Sequence, residues 1–201
     1  MEGTVDGVRY GLALVLVMCL PALLLFWVLI HPCVRFWRRV GAGWAYAAVG
    51  AVATAGMMGV YLVRAPLLRI EFGTSYPLMA LGFLFVGAAA LMRGWLQRRL
   101  PVRVLLGLPE LAPDRHPGRL ITEGIYARLR HPRYVEVALA LLGYACIANY
   151  LAAYLVFALW LPAMHVIVLL EERELRDRFG EAYEAYCRRV PRFLPRFSRG
   201  P

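Results

Sequence analysis

The chain has 201 residues, 61% of them hydrophobic, and a mean hydropathy of +0.57. That is too apolar for a soluble domain of this size, and several uncharged stretches approach the ~20 residues a helix needs to cross a bilayer. The net charge of +10 comes wholly from arginine, since the chain contains no lysine, which excludes Schiff-base chemistry on lysine and a P-loop. The arginines gather at the ends of apolar runs. There the positive-inside rule and anionic headgroups account for them, so no nucleic-acid partner is expected. The composition predicts an all-α polytopic membrane protein folded as a single domain over 1–201.

Residues 1–9 are short and polar, and the first apolar run, Tyr10 to Ile30, reads as a retained span rather than a cleaved signal. Arg35, Arg38 and Arg39 follow it. A second span runs from about Gly43 to Val63, where Ala47, Ala51, Ala55 and Gly59 make one side of the helix thin, as close helix packing in lipid requires. The loop Arg64–Thr74 leads into a third span, about Ser75 to Trp95. These three spans, within 1–95, form a scaffold. The stretch 96–133 is a polar connector with eight arginines and prolines at 101, 109, 113 and 117, which argue against one continuous helix.

An apolar run a little short for a full span, Pro132 to Ala148, follows. A turn at Asn149-Tyr150 and a return run, Leu151 to Leu170, complete a hairpin over 134–170, and Pro162 predicts a kink in the return. From Glu171 a tail (171–201) reads as an amphipathic helix. Leu175, Phe179, Ala182, Tyr186 and Val190 share one face, Glu172–Arg176, Glu174–Arg178 and Glu184–Arg188 form i,i+4 pairs, and Pro191 ends the helix. Arginines are dense in the first and third loops and in the tail, and sparse elsewhere. That pattern gives five spans with the N-terminus outside and the C-terminus in the cytosol of an integral membrane protein, the inner membrane if the source is prokaryotic.

Four cysteines, Cys19, Cys33, Cys146 and Cys187, are scattered without CxxC spacing, so no metal site and no disulfide framework is expected. The chemistry concentrates in Gly124 to Glu136, GIYARLRHPRYVE. Tyr126, Arg130, His131, Tyr134 and Glu136 lie within eleven residues, dense even for an interface where arginine anchors and a first-turn proline are ordinary. The hairpin returns the chain beside them at Glu171 and Glu172. Acids at a helix start are unremarkable, yet ionisable groups at the end of a span need partners. One end then offers cations and aromatic rings, the other carboxylates. The set matches a zwitterionic cofactor with a base and a positive centre, S-adenosylmethionine, while NADPH competes through phosphates for the arginines. Glu136 pairs with Arg133 or contacts a ligand. His165, seven residues before Glu172 on the same helix face, is a buried histidine bonded to a neighbouring backbone carbonyl, a polar pocket residue, or a base for a thiol or amine.

These residues resemble the C-terminal core of the isoprenylcysteine carboxyl methyltransferase and phospholipid methyltransferase superfamily. GxYxxxRHPxY appears as Gly124, Tyr126, Arg130, His131, Pro132 and Tyr134, and the EE pair as Glu171-Glu172. FGxxYxxY appears as Phe179, Gly180, Tyr183 and Tyr186, and VPRxxP as Val190 to Pro195. The resemblance covers roughly 118–197. It implies S-adenosylmethionine held by Tyr126, Arg130, His131, Tyr134, Glu136, Glu171 and Glu172 near the cytosolic face. Arg130, His165 and Arg192 are then the candidate catalytic residues, and the acceptor is a lipophilic molecule, lipid or lipidated group among membrane lipids. Two departures stand out: Glu136 where the family usually has glycine, and Asn149-Tyr150 where the carboxyl methyltransferases usually have Asn-Pro. The rival readings are an NADPH-dependent membrane reductase of the sterol or steroid type and a non-catalytic membrane protein that retains the fold.

Overall fold

The computed structural model describes residues 2–30, 33–97 and 119–195. Most of the predicted connector, with its four prolines, lies outside the described residues. Those residues form α1 (Glu2–Ile30), α2 (Val34–Val40), α3 (Ala42–Leu62), α4 (Arg64–Leu67), α5 (Tyr76–Gln97), a 3-10 turn (Gly124–Ala127), α6 (Pro132–Ala148), α7 (Leu151–Phe179) and α8 (Glu181–Arg189). The protein is an all-α polytopic membrane protein. Four helices are long and apolar enough to cross a membrane, namely Gly3–Ala22 within α1, α3, α5 and α7. The fifth expected span, α6, has 17 residues and covers about 25 Å at 1.5 Å per residue, just under the thickness of a hydrocarbon core.

The α6–α7 hairpin turns at Asn149, the one described non-glycine residue with positive φ (57°). Asparagine tolerates this left-handed conformation, and its amide donates to the Gly73 carbonyl at 2.8 Å. α5 runs antiparallel to α6 in the most extensive helix contact of the fold. Two glycines make the closeness possible. A Cβ on Gly82 would stand 2.7 Å from the Gly143 carbonyl oxygen, and a Cβ on Gly143 the same distance from that of Gly82. α1 then packs across α6 and α7, placing Ala13, Leu16, Val17 and Leu20 against Leu141, Ala145, Ala153, Trp160, Met164 and Val168.

Three sequence expectations are corrected. α1 begins at Glu2 rather than near Tyr10, because the polar start is neutralised by tertiary pairing. Arg9, 1% exposed, meets Glu71 at 2.7 Å and Asp6 at 2.9 Å and donates to Thr74 at 2.8 Å. The thin stripe Ala47, Ala51, Ala55 and Gly59 faces outward, while α3 buries Ala45 and Val49 instead. The tail is not one helix from Glu171. α7 continues through Pro162 to Phe179, Gly180 (φ 51°) breaks it, and α8 restarts in a new direction. The break exposes Ala182 and buries Tyr183 with Tyr186 and Val190, against Leu120, Leu175 and Phe179.

Candidate cofactor site

Local sequence places each element of the site. Gly124 takes φ 63°, which lets the 3-10 turn close and carry Tyr126. Pro132 occupies the first turn of α6, where its missing N–H costs nothing, and His131 precedes it as the N-cap without using its ring as the cap. That leaves the imidazole for tertiary contacts. The C-terminal segment crosses the start of α6 on two backbone bonds, Arg130 N–H to Pro191 O at 2.9 Å and His131 N–H to Arg192 O at 3.1 Å. Arg130 Nη1 also donates to the carbonyls of Cys187 and Val190, at 3.0 and 2.6 Å, satisfying groups that the end of α8 leaves open.

Adjacent residues of a helix point about 100° apart, and this splits the glutamate pair. Glu172 is fully buried. It accepts from Arg130 Nη2 at 2.8 Å, from Arg192 Nε and Nη2 at 2.9 and 2.8 Å, and lies 3.2 Å from His131 Nε2. An ionised carboxylate can only accept, so His131 carries its proton on Nε2. Arg176 adds a longer ion pair at 3.5 Å. Every lone pair of Glu172 is thus directed at the protein, and the residue ties α7 to the segments before α6 and after α8. Glu171, one-third exposed, accepts instead from the Tyr134 hydroxyl at 2.9 Å and lies 3.8 Å from His131 Nδ1.

Glu171, Arg130, His131 and Tyr126 line a cavity of about 120 Å³ together with Arg119, Leu120, Ile121, Leu175, Tyr183 and Tyr186. Sites for drug-sized ligands usually measure ~300–1,000 Å³, so this cavity has room for one end of such a ligand rather than all of it. Burial and the nearby Glu171 carboxylate raise the Tyr126 phenol above the ordinary range. Burial also pushes Tyr186 up to about 12, and its hydroxyl donates to the Tyr126 carbonyl at 2.6 Å. Both phenols therefore stay protonated at neutral pH and act as donors. One buried polar atom of the cavity's own residues, Arg130 Nε, has no hydrogen-bond partner among the described residues, while the Tyr183 hydroxyl has only the Cys187 thiol beside it. Leaving such a donor unpaired costs about 1–3 kcal/mol.

The expected site residues therefore divide. Tyr126, Arg130, His131 and Glu171 meet on the cavity wall, and Tyr134 holds Glu171 there. Glu172 and Arg192 stand behind the wall as its support. Glu136 is 8% exposed on the α5 side of α6 and pairs with Arg93 at 3.4 Å, away from the cavity. His165 is exposed on α7, not buried as expected, and its ring lies beside that of Phe193. Reading the sequence did not place Arg119, Tyr183 or Tyr186 in the site. The two tyrosines stood in the FGxxYxxY pattern, but their spacing also fitted a packing stripe, and Arg119 was one of many connector arginines.

The phospholipid methyltransferase family model matches residues 75–182, which is α5 through the start of α8 and more than half of the chain. The chain belongs to the phospholipid methyltransferase family. This bears out the resemblance to the superfamily and does not favour the reductase reading. Among curated relatives of this family member, the cobalt-zinc-cadmium resistance protein CzcN of Cupriavidus metallidurans is 34% identical over 60% of the chain and 50% of its own length. The protein-S-isoprenylcysteine O-methyltransferase of Schizosaccharomyces pombe is 36% identical over 38% of the chain and 33% of its own length. The nickel-cobalt-cadmium resistance protein NccN of Alcaligenes xylosoxydans xylosoxydans is 31% identical over 42% of the chain and 39% of its own length. The matches thus span between a third and a half of these relatives. No solved structure matches. Two relatives are named for metal resistance, and among the described residues no group of three or more His, Cys, Asp or Glu is placed to hold a metal ion.

Proposed function

We propose that this family member is an integral membrane methyltransferase that uses S-adenosylmethionine to methylate a lipophilic acceptor. The observation that carries the reading is the cavity on which the Glu171 carboxylate faces Arg130 and His131. An anion beside an arginine suits a zwitterionic amino-acid group, and the unpaired Arg130 Nε supplies a donor that the described residues do not use. When bound, the cofactor supplies an electrophilic methyl group on a sulfonium. Glu171, steadied by Tyr134, offers the counter-charge for an ammonium, and Arg130 with Arg119 offers charge-assisted donors for a carboxylate. Tyr126 and Tyr186 contribute ring faces and protonated hydroxyls. Glu172 and Arg192 hold the wall rigid, which matters because much of a transfer reaction's acceleration comes from positioning. The arginine bias of the loops supports a cytosolic position for this end of the hairpin, where a soluble cofactor would arrive, with the acceptor reaching the site from the lipid.

The test is transfer of a labelled methyl group from S-adenosylmethionine into membrane lipid extracts by the purified protein. A labelled lipid-soluble product, formed by the wild type and reduced about ten-fold or more by Glu171→Gln, is expected. Absence of both transfer and cofactor binding contradicts the proposal.

A further inference from the structure

Four rings stand in a row from the outward face of α7 to the cavity wall. They are His165, Phe193, His131 and Tyr134, with successive centroids 6.3, 6.1 and 5.9 Å apart. The inner end of the row belongs to the site already described, since His131 lines the cavity and Tyr134 holds Glu171. The outer end does not. His165 is exposed and is the one His, Arg, Asp or Glu between Leu151 and Leu170. Seven residues along the same helix face separate it from Glu172, about 10 Å at the helical rise. An imidazole facing lipid at that depth is costly, and such residues mark a functional surface by default.

Phe193 is the residue between the two ends. Its backbone neighbours are fixed by the bonds from Arg130 and His131 to Pro191 and Arg192, and by the Arg192 pair with Glu172. The same buried acid that braces the cavity thus fixes where this ring sits. Leu194, next in the chain, is 80% exposed, so the segment presents apolar surface beside the Phe193 ring.

We infer that Phe193 is the partition between the cofactor cavity and a lipid-side acceptor subsite headed by His165, and that its size determines which acceptors present their nucleophile to the methyl group. This inference rests on the methyltransferase reading above. The acceptor class that fits is an amphiphile with a long apolar chain and a small hydrogen-bonding head, lying at the depth of His165. A phospholipid amine, held among the arginines at the headgroup level, fits less well. The hydrogen-bonding head meets the imidazole, the chain lies along the apolar face of α7, and Phe193 limits the approach.

The experiment uses the full chain in nanodiscs, as wild type and as Phe193→Ala, Phe193→Leu and His165→Phe. S-adenosylhomocysteine affinity is measured by calorimetry. Labelled-methyl transfer is measured into a membrane lipid extract and, separately, into dioleoylphosphatidylethanolamine vesicles. Affinity within about two-fold of wild type is expected in all three variants. For the extract acceptor, KM should change about ten-fold in Phe193→Ala and His165→Phe, with Phe193→Leu intermediate, and the vesicle amine should stay unlabelled. A parallel loss of S-adenosylhomocysteine affinity would place Phe193 on the cofactor wall and overturn the inference, as would unchanged acceptor kinetics or labelling of the vesicle amine by the wild type. A wild type that does not bind S-adenosylhomocysteine at all fails the methyltransferase reading first, and the inference falls with it.

Discussion

The hairpin of α6 and α7 carries a buried ion at each end, and the two are opposites. At the tip a cation sits among acids, with Arg9 held by Asp6, Glu71 and Thr74 beside the ring of Tyr150. At the open end an acid sits among cations, with Glu172 held by Arg130, His131 and Arg192. Both centres are essentially inaccessible, yet their partners differ. Asp6 and Glu71 are 55% and 38% exposed, so water shares the load at the tip. Arg130 and His131 are 9% and 4% exposed and only Arg192, at 36%, reaches water among the closest partners, so at the open end the protein carries more of the load. The tip therefore works as a staple between α1, the loop before α5 and the turn. The other end is a rigid frame with a cavity on one side, and rigidity of that kind is what a reacting centre needs.

Breaking the centres should expose this difference. Glu172→Ala leaves the buried Arg130 guanidinium without its counter-charge and is expected to cost about 3–5 kcal/mol, read as a large fall in the thermal midpoint and loss of cofactor binding together. Arg9→Met leaves only partly solvated acids and is expected to cost about 1–3 kcal/mol, with cofactor affinity unchanged. Equal losses in the two variants would remove the distinction between staple and frame.

Glu171→Gln sharpens the comparison from the other side. The amide can still accept from Tyr134, so the melting midpoint should move little, while cofactor affinity should drop about ten-fold, or about 1.4 kcal/mol. The smallest effect is alkaline. The Tyr186 phenol, ordinarily near 10.0, stays protonated in the fold up to about 12. The unfolded chain releases that proton earlier, so unfolding releases protons and stability falls as pH rises between those values. A thermal midpoint that is flat below pH 10.0 and declines toward about 12 is expected, with a shallower decline in Tyr186→Phe.

Hydropathy and arginine placement made the span order, the hairpin and its turn legible. These are properties of local composition and chain length. The pairing of the RHPxY end with the glutamates was legible too, because a short turn forces the two ends of a hairpin together. The separate fates of Glu171 and Glu172 were not, since only the angular step of the helix and the arrival of Arg192, 20 residues later, decide which one is buried. The burial of Arg9 was not legible, because its partner Thr74 lies 65 residues away in sequence. The break at Gly180 was hidden because the apolar stripe of the tail continues across it in projection, and only the positive φ turns Tyr183 inward.

The measurement that tests the central claim most directly is calorimetric titration of the purified protein with S-adenosylhomocysteine, with NADPH as the control ligand. Saturable binding of S-adenosylhomocysteine, none of NADPH, and about ten-fold weaker binding in Glu171→Gln at an unchanged melting midpoint is the predicted result. Equal affinity in wild type and Glu171→Gln, or preference for NADPH, would contradict it.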